Sequence, residues 1–216
     1  MVKGWNAFTV IAVTMVACSL CALIGLSGIG LLFLVINLLS LGAEALVLRR
    51  TNPAVLRRNL DSVNTWDRSM VALMVLGAVA SAALSAYDAN VLMASPLPEW
   101  TFILGVVLMM SGFLIAGQSA MAKAPHAADK YGEEAGEGHD RGSYETVRHP
   151  FMLSALLGGL SIPLFLGSGL GFAPLALFLV ALLVRTARED DWRFNEYEWY
   201  YDYMKEVPYR LIPFIW

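Results

Sequence analysis

One short polar segment, residues 142–150, carries the side chains best suited to chemistry. It reads Gly-Ser-Tyr-Glu-Thr-Val-Arg-His-Pro and is followed directly by an apolar run that begins at Phe151. Pro150 suits the first turn of a helix, because a proline there leaves no N–H unsatisfied. A fixed cation, Arg148, beside a titratable imidazole, His149, at this boundary indicates one wall of a ligand site. The same pair would also suit contacts with lipid headgroups.

A second polar set follows the last apolar segment. Its members are spaced by four, three, four, four and three residues, which would place them along one face of an α-helix. They are Arg185, Glu189, Trp192, Glu196, Tyr200 and Tyr203. We expect this helix to continue to Pro208 and an interfacial aromatic tail to follow it. The alternatives are that the acidic residues 189–191 form a solvated helix start and that the aromatic residues form a membrane-surface belt.

Composition indicates the elements that position these residues. The 216 residues are 57% hydrophobic and only 15% charged, whereas soluble domains carry about 25% charged residues. Apolar windows of about 20 residues recur, and each could cross a hydrocarbon core. The sequence therefore predicts an all-α polytopic membrane protein with about six transmembrane helices in hairpins and a cytoplasmic C-terminal helix. The predicted spans are 7–26, 29–48, 70–86, 100–120, 151–166 and 172–184.

Charge distribution predicts the topology. Five arginines lie between residues 49 and 68, which puts that loop in the cytoplasm, while the loop around Pro96 and Glu99 has no Lys or Arg. An even number of spans places both termini in the cytoplasm. We divide the single domain, 1–216, into four spans (1–121), a cytoplasmic loop (122–149) and a hairpin, helix and tail (150–216).

The last two predicted spans are short, so we expect them to begin below the membrane surface and to recess His149 in a pocket open to the cytoplasm. Glu44 lies inside the second span. It is either a functional carboxylate, as intramembrane carboxylates often are, or a partner of the nearby Arg49. His126 and His139 lack ligand spacing, so no metal site is expected, and no basic-aromatic surface suggests nucleic acid.

The order of the pieces resembles one family. These are a Gly-x-Tyr-x-x-Val-Arg-His-Pro segment, a short apolar hairpin, Arg-x-x-x-Glu-Asp, Tyr-x-x-Tyr and a terminal Tyr-Arg-Leu-Ile-Pro. The set is similar to the isoprenylcysteine carboxyl methyltransferase family in its broad prokaryotic sense, to which phospholipid N-methyltransferases are related. The resemblance covers residues 142–216 best.

This resemblance implies S-adenosylmethionine as the cofactor and a lipophilic methyl acceptor, at the cytoplasmic face of what would be a prokaryotic inner membrane. The acceptor would be a prenylated carboxylate, a lipid amine or a small thiol. Arg185 and Glu189 would be the catalytic residues. Glu189 suits the cofactor's ammonium or ribose hydroxyls, and either Arg148 or Arg185 suits its carboxylate. The cofactor-binding residues it implies are Tyr144, Arg148, His149, Pro150, Glu189, Asp190, Tyr200 and Tyr203.

The sequence also departs from the family pattern. Met152 stands where a tyrosine is usual, Ser154 where a glycine is usual, Ser143 where a proline is usual, and Asp190 replaces the second glutamate of a pair. Two other classes therefore stay open: an NADPH-dependent membrane reductase of the sterol reductase type and a non-catalytic membrane scaffold. The mostly acidic segment 122–141 argues against the first, and the substitutions at 152 and 154 permit the second.

Overall fold

A computed structural model describes residues 7–23, 27–51, 65–121 and 142–216. Within these ranges the chain is all-helical, with seven α-helices and no strand. A π-helical turn, Asp88–Leu92, follows α3, and a 3-10 turn, Gly142–Glu145, precedes α5. The helices are α1 Ala7–Ala22, α2 Gly28–Thr51, α3 Thr65–Tyr87, α4 Trp100–Met121, α5 Pro150–Leu166, α6 Phe172–Glu196 and α7 Glu198–Glu206. The predicted all-α class is confirmed for this part of the chain.

Within the residues that the structure describes, three stretches are long and apolar enough to cross a membrane: Gly28–Leu46, Arg68–Leu92 and Trp100–Ser119. They have 19, 25 and 20 residues, and they correspond to the second, third and fourth predicted spans. Two further apolar helical stretches, Thr9–Ala22 and Pro150–Leu166, are shorter. Large apolar side chains on several of these helices point outward, as lipid-facing side chains would. The most exposed are Leu39, Trp100, Ile103 and Leu114.

Close contact between α4 and α5 forms the centre of the bundle. A Cβ on Gly105 would lie 2.5 Å from the backbone nitrogen of Phe165, and one on Gly112 would lie 3.0 Å from the carbonyl oxygen of Ser154. Moving along α4 thus means moving backward along α5, so the two helices run antiparallel. The missing side chains let the two backbones touch, a packing that membrane helices often use.

Aromatic rings fill the adjoining core. The Phe165 ring lies 5.1 Å from the ring of Phe33 on α2 and 4.9 Å from that of Phe102 on α4. The first contact is edge-on and the second is tilted, and together they connect three helices near the C-terminal end of α5.

At that same end a buried carboxylate holds two connections together. Asp88 accepts hydrogen bonds from the Ser168 hydroxyl at 2.6 Å and from the backbone N–H of Ala94 at 2.9 Å. Ser168 lies in Gly167-Ser168-Gly169, which separates the predicted spans 151–166 and 172–184, and Gly167 ends α5 with a positive φ of 73°. The prediction of two apolar helices separated at this point is confirmed.

The prediction of one continuous helix from Arg185 to Pro208 is wrong. Helix α6 ends at Glu196, Tyr197 is extended, and a separate helix, α7, runs from Glu198 to Glu206. The change of direction brings the Tyr200 hydroxyl back to Asp190, one of the buried side chains of α6. Most of the predicted arginine-rich loop and the loop 122–141, with His126 and His139, lie outside the described residues.

Candidate functional site

The candidate site lies where the start of α5, the polar end of α6, helix α7 and the C-terminal tail meet. Asp190 is at its centre, with only 1% of its side chain exposed. The Arg148 guanidinium forms a bidentate pair with this carboxylate: Nε donates to Oδ1 at 3.0 Å, and Nη2 donates to Oδ2 at 2.8 Å. This fork-to-fork geometry fixes the direction of both side chains and is among the strongest pairings that proteins form.

Three more groups complete the shell around Asp190. His149 Nε2 lies 3.0 Å from Oδ1, the Tyr200 hydroxyl donates to Oδ1, and Arg210 Nε donates to Oδ2 at 2.8 Å. A carboxylate can accept about four hydrogen bonds. The contacts from Arg148, His149, Tyr200 and Arg210 therefore occupy all the acceptor positions of Asp190. Asp190 is therefore bound by the chain itself, from four separate positions in the sequence.

The same arginine attaches the tail to the bundle. Arg148 Nη1 donates to the carbonyl oxygens of Val207 and Pro208, each at 2.9 Å. The backbone N–H of Arg148 donates to the carbonyl of Tyr209, and that of His149 to the carbonyl of Arg210, at 2.9 and 3.0 Å. The segment before α5 and the segment after α7 thus pair along their backbones, and Asp190 closes the arrangement from α6.

Electrostatics keeps this centre charged. Burial by itself would raise the pKa of Asp190. The hydrogen bonds from His149, Arg148 and Tyr200 and the charge of Arg148 outweigh burial, and they hold the pKa of that carboxyl well below its usual range. The Tyr200 pKa is raised, first by burial and then by the hydrogen bond to Asp190. The centre therefore consists of an ionised carboxylate, an arginine cation and a neutral phenol at neutral pH.

This pKa shift makes stability depend on pH in a predictable direction. The folded pKa of Asp190 is below the unfolded value of about 3.9, so its stabilising contribution is present above that value and is lost as pH falls below it. We expect the melting temperature in detergent to be nearly constant from about pH 7 to 5 and to fall steeply below about pH 4. Thermal unfolding of wild type and of Asp190→Asn across this range checks it, since the variant should have the shallower acid slope. Glu99→Gln, at an exposed position, should keep the wild-type slope.

A second layer of charged groups lies along α6 and is more accessible. Glu189 is bound by Arg185 at 3.3 Å and by Arg193. The side chains of Glu189 and Arg185 are 24% and 12% exposed, against 1% for Asp190. Arg185 Nη1 also lies 3.3 Å from the Sδ atom of Met152 on α5. Here a ligand could reach one anion and one cation that are a single helical turn apart.

Buried aromatic residues lie between α7 and the 3-10 turn. The Tyr203 hydroxyl donates to the carbonyl oxygen of Tyr144 at 2.8 Å, and the rings of Tyr200 and Tyr203 are 5.7 Å apart. Trp199 packs against Tyr200 at 5.6 Å. These contacts attach α7 to the segment that precedes α5.

The structure places the sequence-predicted residues in these two layers. The inner layer holds Arg148, His149, Asp190 and Tyr200, with Pro150 at the first position of α5 and buried beside it. The outer layer holds Arg185 and Glu189, and Tyr144 and Tyr203 join α7 to the 3-10 turn. Sequence reasoning missed Arg210 and Arg193. Arg210 belongs to the terminal Tyr-Arg-Leu-Ile-Pro motif, and membership of that motif was the only feature of the sequence that indicated a role for it.

No metal-binding group of three or more His, Cys, Asp or Glu side chains occurs among the residues that the structure describes. No protein-family model matches the sequence, and no curated protein matches it.

Proposed function

We propose that this chain is a membrane methyltransferase, which transfers a methyl group from S-adenosylmethionine to a lipophilic acceptor. One observation carries the proposal. Residues 144–150, 185–190 and 200–203, which the family resemblance assigns to a cofactor site, converge at one end of the helical bundle. Arg148 and Asp190 are 42 positions apart in sequence and bind each other directly.

The chemistry of the outer layer fits the polar end of this cofactor. Glu189 can accept hydrogen bonds from an ammonium or from ribose hydroxyls, and Arg185 can donate two to a carboxylate. Both side chains are partly exposed, whereas Arg148 is 4% exposed and already holds Asp190 and two carbonyls. Between the two arginines considered for the cofactor carboxylate, this difference favours Arg185. Arg148 and Asp190 then act as positioning residues that hold α5, α6 and the tail together.

The surroundings suit transfer of a methyl group. When bound, the cofactor supplies an electrophilic methyl carbon, and the protein needs to hold the acceptor in line with it and to exclude water. Tyr200 and Tyr203 close the α7 side, and the apolar helix α5 leads away from His149. Aromatic faces also attract a cationic centre. These features give the chain residues for binding, orientation and water exclusion.

The apolar helices support a bilayer setting for this reaction. We propose six spans, with α1, α5 and the apolar part of α6 joining the three longer ones, and both termini on the cytoplasmic side. A lipophilic acceptor would then reach the site laterally, at the N-terminal end of α5.

A non-catalytic scaffold is the second candidate, and one observation favours it. The five contacts that four residues make with Asp190, and the contact from Arg185 to Met152, bind the predicted cofactor residues to other parts of the chain. Such a cluster would be useful in a protein whose only task is to hold its helices together.

Calorimetric titration of the detergent-purified protein with S-adenosylhomocysteine and, separately, with NADPH tests the proposal. We expect micromolar binding of S-adenosylhomocysteine and none of NADPH. Binding of NADPH alone would move the chain to the reductases, and absence of both would favour the scaffold.

A further inference from the structure

Glu44 lies in the apolar stretch of α2. One oxygen of its carboxylate is buried and has no hydrogen-bond partner among the described residues. Phe33, Asn37 and Leu41 are buried and follow one another at four-residue intervals. Glu44 comes three residues after Leu41, so it continues the same inward face. Asn37, in contrast, is satisfied, because its amide donates to the Phe33 carbonyl at 2.8 Å.

The position of Glu44 along the bundle relates it to the candidate site. Phe33 lies near the beginning of α2 and contacts Phe165 near the end of α5. Because both helices extend through the bundle from this contact, α2 leads toward the end where α5 begins. Eleven residues separate Phe33 from Glu44, and eleven separate Phe165 from Ser154. At about 1.5 Å per residue, both paths advance about 16 Å toward the same end of the bundle. Glu44 therefore lies toward the end of the bundle where α5 begins, which is also the end that holds the candidate site.

An intramembrane carboxylate is unfavourable unless a cation or a proton accompanies it. The nearby Arg49, on the same helix, is exposed and has no ion pair with Glu44 in this part of the structure. A carboxylate acceptor would bring a second negative charge to Glu44, and a thiol offers only a weak donor. A protonated amine offers both the charge and the donors that this oxygen needs.

We infer that Glu44 binds the ammonium form of a lipid amine acceptor and takes up the proton that its nitrogen loses before its lone pair attacks the cofactor's methyl carbon. This inference rests on the proposed methyltransferase function, whose acceptor it specifies. The amine belongs to a bilayer lipid rather than to a soluble molecule, because Glu44 lies inside the apolar stretch Gly28–Leu46. Leu39 and Leu46 on this stretch are 68% and 61% exposed, as side chains that face lipid would be.

Lipid selectivity tests the inference without any cofactor. Wild type, Glu44→Gln and Glu44→Asp are reconstituted in nanodiscs of phosphatidylglycerol that contain either phosphatidylethanolamine or its N-acetyl derivative, which lacks the ammonium charge. Bound lipid is measured by native mass spectrometry after extraction. We expect wild type to prefer phosphatidylethanolamine about tenfold, as one charged hydrogen bond allows. Glu44→Gln should lose this preference, and Glu44→Asp should keep part of it. The exposed-site control, Glu99→Gln, should match wild type.

A preference that survives in Glu44→Gln would overturn the inference. So would displacement of the bound lipid by millimolar ethanolamine, because that would assign the site to a soluble amine. Binding of S-adenosylhomocysteine, measured on the same samples, should be unchanged in Glu44→Gln. If the wild-type protein does not bind S-adenosylhomocysteine, that result would count against the proposed function alone, because the lipid measurement does not depend on cofactor binding.

Discussion

Replacing Asp190 with alanine is expected to lower the free energy of unfolding by about 3–5 kcal/mol, the typical result of removing one partner of a buried ion pair. The variant would leave the Arg148 guanidinium, 4% exposed, without its carboxylate, and it would remove acceptors from Arg210 and Tyr200. The backbone pairing of Arg148 and His149 with the tail would lose its anchor on α6. Denaturant unfolding in mild detergent, followed by tryptophan fluorescence, measures the change.

Asp191→Ala is the matched control, because it removes the adjacent carboxylate from the same helix. The Asp191 side chain is 68% exposed, and its one described ion pair, to Arg210, spans 3.7 Å. Exposed pairs of this kind contribute about 0–1 kcal/mol. Equal destabilisation by the two substitutions would contradict the central role assigned to Asp190. A double-mutant cycle with Arg148→Met would then separate the pair itself from the effect on the tail.

The sequence was sufficient for the parts of the fold that depend on local chemistry. Of the six spans predicted from apolar runs, three correspond to described helices of membrane-spanning length, and Gly167-Ser168-Gly169 marked the break between α5 and α6. Glycine adopts the positive φ at position 167 without strain, so that break has a local signal. These features need no knowledge of what the helices pack against.

The inner layer of the site could not be predicted in this way. Helical periodicity put Asp190 off the polar face that contains Glu189, yet Asp190 is the buried centre, because its partners come from positions 148 and 210. The break at Tyr197 follows no Gly or Pro, and it serves a tertiary contact, from Tyr200 to Asp190. Tertiary contacts overrode the local pattern at both places.

The distinction between the two layers leads to the second large effect, at Glu189. Replacing Glu189 with alanine is expected to abolish S-adenosylhomocysteine binding in the titration, a loss of about 100-fold or more, because charged hydrogen bonds contribute about 1.5–3 kcal/mol each. Its side chain is 24% exposed, against 1% for Asp190, but it pairs with Arg185 and Arg193, which are only 12% and 13% exposed. The substitution should therefore lower the free energy of unfolding, but by less than Asp190→Ala does.

The two adjacent carboxylates should therefore differ in their main effect: replacing Asp190 should lower stability more, and replacing Glu189 should lower cofactor affinity more. Glu196→Ala is the matched control for binding, since this exposed glutamate lies on the same helix, two turns further on. It should retain wild-type affinity. Unchanged affinity in Glu189→Ala would instead remove Glu189 from the cofactor site. If Glu189→Ala lost as much stability as Asp190→Ala, Glu189 would belong to the structural cluster, which is the outcome that the scaffold function requires.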